Sequence, residues 1–220
     1  GLAGGLALNV ASGAELRIES LAAKYLGDST LSNSGLVSWL EGNVYNYVSG
    51  SGGVITNQSG GVFDIALTSD ATFGAYNGSI YPAITFNNLA GAVLSKSGDG
   101  VTAYLGTGAT PLNLWNDGVV DVRGGTLVVV GDPAVTTESS GDFRVTSSGG
   151  STPVLSLAGG TYNLLPGATI TADDTAFGVV PTGSVRLDGA SLRIEASTVF
   201  ANGFDISSGS IDLLSGGDLN

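Results

Sequence analysis

Short runs in which apolar and polar residues alternate recur along this chain, and an Asn or Gly turn precedes each of them. One unit, NDGVVDV at residues 116–122, is followed directly by a second run, GGTLVVV at residues 124–130. Related units begin at Asn33, Asn57 and Asn87, so that the leading Asn residues are 24, 30 and 29 positions apart. Self-similarity at about 20 to 50 residues is typical of proteins built from stacked units. The pattern therefore predicts an all-β solenoid in which each unit forms one coil.

The apolar positions within each run are two residues apart, which is the period that places side chains on one face of a strand. The orientation of Val128 is left open, because both of its neighbours are also apolar. Asn side chains at equivalent turns are expected to stack in hydrogen-bonded ladders. At 20 to 30 residues per coil, the chain would form roughly 8 to 10 coils. The residues predicted to share one continuous core are Val120, Val122, Leu127, Val129, Leu155, Leu157, Leu192 and Ile194.

Two distant segments have nearly the same sequence, GAELRIE at residues 13–19 and GASLRIE at residues 189–195. Leu and Ile alternate with charged residues in both, which predicts two strands of the same kind. Residues 21–26 are the only segment whose composition suggests a helical turn. Three irregular stretches are expected to form loops, where binding sites of solenoids are usually found, at residues 70–82, 131–142 and 172–181.

The composition fits one elongated domain over residues 1–220. The chain has 36 Gly residues, 42% hydrophobic residues and only 12% charged residues, a mixture too apolar for a disordered linker. It changes little from end to end, and no charged or Pro-rich linker divides it. The absence of Met and of a basic leader suggests a processed piece or a segment of a larger protein.

Charge and residue usage reduce the range of functions. The net charge of −12 disfavours nucleic acid as a partner, because phosphate groups would be repelled. The chain has no Cys and no His, so disulfides, structural Cys-zinc sites and the commonest general base are excluded. No apolar run approaches the ~18 residues of a membrane span. We expect no catalytic residue, no cofactor-binding residue and no metal ligand.

Two acidic segments are nevertheless candidates for chemistry. The adjacent carboxylates Asp173 and Asp174 could converge only in a loop, because neighbours on a strand face opposite ways, and no Lys lies nearby. Turn and solvation roles are favoured for this pair. Residues 97–100, SGDG, contain Asp and backbone carbonyl groups of the kind that bind calcium. They do not continue into the GGxGxD repeat of calcium-binding β-rolls, so no calcium ligand is assigned and calcium is left open as a cofactor.

Aromatic and hydroxyl residues provide further candidates for binding. Trp39, Tyr45 and Tyr47 could form an exposed platform for sugars or protein partners, but packing inside the solenoid is the favoured interpretation. Asn57 and Asn77 begin N-x-S/T patterns, which leaves glycosylation at either residue open. The segment Thr169-Ile170-Thr171 is similar to the flat Thr arrays of ice-binding surfaces, but it is not repeated at coil spacing.

Residues 85–88 and 113–127 resemble a unit of very large secreted bacterial surface proteins, with the pattern FNNxG followed by NxGxVxVxxGTL. Residues 155–164 are similar to the segment that follows it. The resemblance covers about the middle half of the chain. It implies a right-handed parallel β-helix outside a bacterial cell, as in autotransporter passengers and filamentous-haemagglutinin-like adhesins. The chain departs from those proteins because no secretion-signal domain or translocator barrel is recognisable.

The sequence favours a non-enzymatic extracellular protein, such as a stalk, an adhesin segment or a fibre subunit. Its expected partners are copies of itself or adjacent repeats stacked end to end, with surface glycans or proteins of neighbouring cells as further candidates. The alternative is a carbohydrate-active β-helix enzyme that cleaves polysaccharide as a lyase or a hydrolase. Such an enzyme should have a groove lined by converging Asp, Arg and aromatic side chains, whereas a stalk should have scattered polar surfaces.

Overall fold

The computed structural model describes residues 5–46, 52–75, 82–146, 152–173, 184–194, 198–201, 204–214 and 218–219. These residues contain only β-strands, bends and turns, and no helix. Every pair of neighbouring strands that they form is parallel, and partners come from successive passes of the chain around one axis. The chain is therefore a parallel β-solenoid, as its alternation predicts.

The strands are short and follow one another through tight turns. The first twelve are β1 (Ala7–Val10), β2 (Glu15–Ile18), β3 (Lys24–Tyr25), β4 (Thr30–Asn33), β5 (Leu36–Trp39), β6 (Val44–Asn46), β7 (Val54–Asn57), β8 (Val62–Ile65), β9 (Ala71–Ala75), β10 (Ile84–Asn88), β11 (Val93–Lys96) and β12 (Thr102–Leu105). The next twelve are β13 (Leu112–Asn116), β14 (Val119–Val122), β15 (Thr126–Val130), β16 (Thr136–Ser139), β17 (Asp142–Thr146), β18 (Val154–Ala158), β19 (Thr161–Leu164), β20 (Thr169–Asp173), β21 (Ser184–Ile194), β22 (Thr198–Ala201), β23 (Phe204–Leu213) and β24 (Asp218–Leu219).

Three columns of stacked strands form the three faces of the solenoid. Face 1 consists of β1, β4, β7, β10, β13, β16 and β19, and face 3 consists of β3, β6, β9, β12, β15 and β18. Face 2 is a separate sheet of nine strands in the order β2, β5, β8, β11, β14, β17, β20, β22 and β24. Each pass around the axis thus adds one strand to every face, with neighbours about 4.8 Å apart.

The coils are not equivalent along the whole chain. Six coils, β1 to β18, each consist of three separate strands, fewer than the roughly eight to ten coils expected from the repeat length. The stack then continues in a different form, because the 11-residue strand β21 pairs with β18 through residues 184–187 and with β19 through residues 191–194. One strand therefore passes from face 3 to face 1, and β23 repeats this arrangement on its other side.

The predicted core is confirmed at every position whose side chain is described. Seven of the eight predicted residues are at most 1% exposed, and the eighth, Ile194, has its side chain outside the described residues. Val128 points outward and is only half-buried, in register with Tyr104 and Ser156 on face 3. Aromatic rings pack edge to face inside the core, with 5.3 Å between the ring centroids of Phe63 and Phe86.

A ladder of buried Asn side chains closes the corner between faces 1 and 2. Asn33, Asn57, Asn88 and Asn116 are the last residues of successive face 1 strands, and all are 0% exposed. The Nδ2 groups of the first three each donate to the Oδ1 of the next Asn, over 2.8, 3.0 and 2.8 Å, and the ladder ends at Asn116. Nδ2 also donates to a backbone carbonyl at the start of a face 2 strand. The predicted ladder is thus confirmed, with every amide doubly bonded.

The register of the ladder corrects one residue of the predicted repeat. Asn88, not Asn87, is the ladder member, so the true spacings are 24, 31 and 28 residues. Asn87 lies one position earlier on β10 and points outward. The tight turn after Asn116 depends on Gly118, because a Cβ atom there would lie 2.5 Å from the Ala92 carbonyl oxygen and 2.6 Å from that of Leu89.

Several local expectations are wrong. Residues 21–26 form a bend and β3 instead of a helical turn. The described parts of the irregular stretches contain strands, since β9 lies within residues 70–82, β16 within residues 131–142 and the end of β20 within residues 172–181. Residues 76–81 and 174–181 lie outside the described residues, so the loops expected there stay a prediction. The repeated segments at residues 13–19 and 189–195 form strands on different faces, β2 on face 2 and the second half of β21 on face 1. Period-two alternation specifies a strand but not its face.

Candidate functional site

The first coil presents an open end of the solenoid. Among the described residues, β1, β2 and β3 pair only with β4, β5 and β6, so no described strand covers their outer edges. The core is also open here, and a cavity of about 350 Å³ extends into it. The cavity is lined mainly by apolar side chains, namely Leu8, Leu16, Ile18, Leu26, Leu31, Val44 and Phe73.

Charged residues surround this apolar opening. Arg17, Glu19 and Lys24 contribute to the lining, and Arg17 Nε lies 3.1 Å from Glu19 Oε2. Leu6 is 50% exposed close to the start of β1. An exposed strand edge next to an open apolar core is a typical template for another strand-bearing unit. The first coil is therefore the strongest candidate for an assembly surface in the described chain.

The last described strands carry matching apolar residues at the opposite end of the stack. Ile211 and Leu213 of β23 pair with Leu192 and Ile194 of β21, and these are the inward positions of face 1. Leu213 is 53% exposed, because the described residues place no further strand beside β23. Leu8 and Val10 occupy the same two inward positions on β1. Leu8 and Val10 would therefore face Ile211 and Leu213 if one solenoid stacked on another.

The charged side chains on the outer surface of face 2 are paired locally. Arg123 Nη2 lies 2.6 Å from Asp121 Oδ2, and Arg144 Nη2 lies 2.5 Å from Asp142 Oδ2. Burial opposes ionisation of Asp142, but hydrogen bonds from Thr169 and Arg144 hold its pKa below the ordinary value. Opposite charges that neutralise one another are typical of a structural surface, whereas a general acid needs a raised pKa.

Both lysines of the chain hold successive coils together at the corner between faces 2 and 3. Lys24 Nζ donates to the carbonyl oxygens of Ser20 and Glu41, the latter at 2.9 Å. Lys96, which is 0% exposed, donates to the carbonyl oxygens of Gly98 and Gly124, the latter at 3.1 Å. Each ammonium group therefore joins two turns that are one coil apart. No sequence pattern indicated this role, since Lys96 occupies a position that is apolar in neighbouring coils.

The buried Lys96 gives a prediction about pH. Burial lowers the pKa of Lys96 from its ordinary value of 10.5, although Asp99 and Asp64 oppose the shift. The unfolded chain therefore binds this proton more tightly, and the free energy of unfolding should rise with pH between the folded-state pKa and 10.5. Lys96→Met should lose this rise, so urea unfolding at pH 7 to 10 should show the wild type gaining stability relative to the variant. Parallel pH profiles of the two proteins would contradict the assignment.

The alternative of an exposed aromatic platform finds no support at Trp39, which packs inside the solenoid. Trp39 is 0% exposed, its Nε1 donates to the Gly42 carbonyl oxygen at 2.8 Å, and its ring packs edge to face on Phe73. Tyr45 is half-buried and lies 6.1 Å from Tyr25 between ring centroids. Tyr47 lies outside the described residues. Packing, the favoured interpretation, is confirmed for Trp39.

The structure also places most of the other candidates. Asn57 is buried in the ladder, so its amide is inaccessible to glycosylation in the folded chain, and Asn77 lies outside the described residues. Asp99 is exposed in the turn after β11, where the Lys96 ammonium group already binds the Gly98 carbonyl. A positive charge at that position disfavours calcium. Asp174 and the side chain of Asp173 lie outside the described residues.

The Thr169-Ile170-Thr171 segment is part of β20 on face 2, and it does not extend into a Thr array. Its neighbours on β17 are Asp142, Phe143 and Arg144, and Thr169 Oγ1 donates to Asp142 Oδ1 at 2.6 Å. On β22, Thr198 is in register with Thr169, but Phe200 is in register with Thr171. The hydroxyl group therefore supports an ion pair. In the part of the chain that the structure describes, no group of three or more acidic side chains is arranged to hold a metal ion.

Comparisons with known proteins provide no family assignment. No protein-family model, curated protein or solved structure matches the chain. The described residues contain no helix that is long and apolar enough to span a membrane. The structure shows the parallel β-solenoid without support from a known relative. The resemblance to secreted bacterial surface proteins stays a prediction, and so does the right-handed sense of the coils.

Proposed function

We propose that the chain is a non-enzymatic structural segment of an extracellular bacterial surface protein, acting as a stalk, an adhesin segment or a fibre subunit. The observation that carries this proposal is the open first coil, where an apolar core and three strand edges face outward together. A unit of this kind is completed by another coil stacked on it, either of a neighbouring copy or of adjacent repeats. Its role is then to provide length and stiffness.

The interior of the solenoid supports such a role. The core is continuous from coil to coil, the Asn ladder bonds four successive coils, and both lysines join turns of neighbouring coils. In repeat proteins, stability is approximately a sum of such neighbour interactions. Each added coil therefore lengthens the rod without weakening it.

The alternative, a carbohydrate-active β-helix enzyme, finds less support. It requires a groove in which Asp, Arg and aromatic side chains converge on one face. On face 2, Asp121 and Asp142 are instead paired with Arg123 and Arg144. The 350 Å³ cavity lies at the end of the solenoid and is mainly apolar.

The proposal is tested by electron microscopy and light scattering of the isolated chain at rising concentration. We expect rods of constant width whose length increases with concentration, because a head-to-tail contact that does not close generates a filament. Leu8→Lys should keep the particles short, since it places a charge in the open apolar end. Leu21→Lys is the matched control, because Leu21 is 79% exposed and does not line the cavity. Strictly monomeric particles at all concentrations would overturn end-to-end stacking.

A further inference from the structure

The outer surface of face 1 contains an aromatic side chain among neutral polar ones. Strand alternation directs Leu112, Leu114 and Asn116 into the core and therefore directs Asn113 and Trp115 outward. The same alternation applies to β10, β16 and β19. We name the resulting surface the Trp115 patch and define it by Thr85, Asn87, Asn113, Trp115, Glu138 and Asn163.

The chemistry of the patch differs from that of face 2. Its polar groups are three amides, one hydroxyl and one carboxylate, and Arg193 of β21 lies at its border, in register with Asn163. Asn113 is 9% exposed, and its Oδ1 already accepts a hydrogen bond from the Asp132 N–H at 3.3 Å. Trp115 is partly exposed, and the described residues provide no hydrogen-bond partner for its indole N–H. An aromatic ring with a free polar edge, next to planar amide groups, can stack on one ligand ring and hydrogen-bond to its substituents.

Asn163 indicates that a hydrogen-bond donor is missing at this surface. The residue is only 5% exposed, and its Oδ1 has no hydrogen-bond partner among the described residues. It points away from the core, because Tyr162 and Leu164 on either side of it are inward. It is in register with Glu138 on β16 and with Arg193 on β21. A buried amide oxygen without a donor is costly and needs an explanation. Because Oδ1 is itself buried, a hydroxyl group of a ligand at the patch would supply that donor once the Asn163 side chain turns outward.

We propose that the Trp115 patch binds a neutral polysaccharide, with the sugar chain lying along the solenoid axis. Asn87, Trp115, Glu138 and Asn163 lie on successive strands about 4.8 Å apart, so a chain of sugar rings meets a new side chain at each coil. The net charge of −12 repels acidic polysaccharides. This inference rests on the proposed extracellular role and assigns to it a ligand class.

The test is native gel electrophoresis in gels that contain a neutral polysaccharide, namely a β-glucan, a galactomannan or an α-mannan, and in a gel with polygalacturonate. We expect at least one neutral polysaccharide to retard the wild type. Trp115→Ala should weaken this binding by about tenfold or more, as for an aromatic hot spot. Tyr104→Ala is the matched control, because Tyr104 is 39% exposed on face 3 and its variant should bind like the wild type.

A second measurement does not require a variant. The chain has two Trp residues, and Trp39 is buried, so a change in intrinsic fluorescence on titration with an oligosaccharide of the retarding polymer reports on Trp115. The inference is overturned if no neutral polysaccharide retards the protein, if only polygalacturonate does so, or if Trp115→Ala and wild type are retarded equally. If the protein forms rods in electron microscopy but no polysaccharide retards it in the gel, only this inference is overturned. If the protein stays monomeric but a neutral polysaccharide retards it, only end-to-end stacking is overturned.

Discussion

Replacing Leu127 with Asp is expected to unfold the coils around β15. Leu127 is 0% exposed and stacks between Ala103 of β12 and Leu155 of β18. A carboxylate at this position has no partner, and an uncompensated buried charge costs about 3–5 kcal/mol of the free energy of unfolding. Because each coil contacts mainly its neighbours, the loss should spread to the adjacent coils. Circular dichroism during thermal unfolding measures the effect.

Val128→Asp is the matched control for this change. Val128 is the next residue on the same strand, but it points outward between Tyr104 and Ser156. A carboxylate there remains in water, so the cost should not exceed about 1 kcal/mol, the range of strand propensities. Equal losses at the two positions would contradict the register of face 3.

Asn88→Leu is expected to break the Asn ladder at its centre. The variant removes the hydrogen bonds from Nδ2 to Asn116 Oδ1 at 2.8 Å and to the Val119 carbonyl oxygen at 3.0 Å. It also removes the acceptor of Asn57 Nδ2. Leu has the same number of side-chain heavy atoms and branches at the same carbon, so we attribute the loss mainly to buried polar groups left without partners, at about 1–3 kcal/mol each. We expect the free energy of unfolding in urea to fall by about 2–4 kcal/mol.

Asn87→Leu tests the same amino-acid change one residue away. Asn87 points outward from β10 and makes no ladder contact, so its replacement should change the free energy of unfolding by about 0.5 kcal/mol or less. If Asn87→Leu proved the more damaging variant, the ladder would run through Asn87. The pair of variants therefore decides between two registers that differ by a single residue.

The alternation of apolar residues was sufficient to predict the fold class and most of the core. In β14 and β15 every second residue points into the core, and these residues are Val120, Val122, Leu127 and Val129. All four are buried. The turn chemistry was equally informative, since Asn followed by Gly marks the corner that the ladder occupies. These signals are local, and a parallel solenoid repeats the same local solution in every coil.

What the sequence could not provide was the position of each strand around the axis. The segments beginning at Gly13 and Gly189 have the same local pattern, but their strands belong to different faces. The choice between Asn87 and Asn88 also depends on register, which is set by pairing with Asn57 and Asn116 on neighbouring coils. Loops of unequal length remove any constant spacing from which the register could be read.

The exposure of the aromatic and charged residues could not be predicted from the sequence either. Trp39 and Trp115 both lie in alternating strands, yet the first points into the core and the second points outward. Lys96 follows an apolar alternation, and only the carbonyl groups of two successive turns explain how its ammonium group is buried. The open end of the first coil is likewise a property of the stack, because no single strand contains it.

The central claim is that the coils stack at one strand spacing along a single stiff axis, on which the proposed structural role depends. The most direct test is an electron spin resonance distance between labels at Arg17→Cys and Arg144→Cys, since the chain has no other Cys. Both positions are exposed on face 2, five strands apart in the stack β2, β5, β8, β11, β14 and β17. We predict a narrow distribution centred at about 24 Å. A broad distribution, or a centre beyond about 35 Å, would contradict the stacked solenoid.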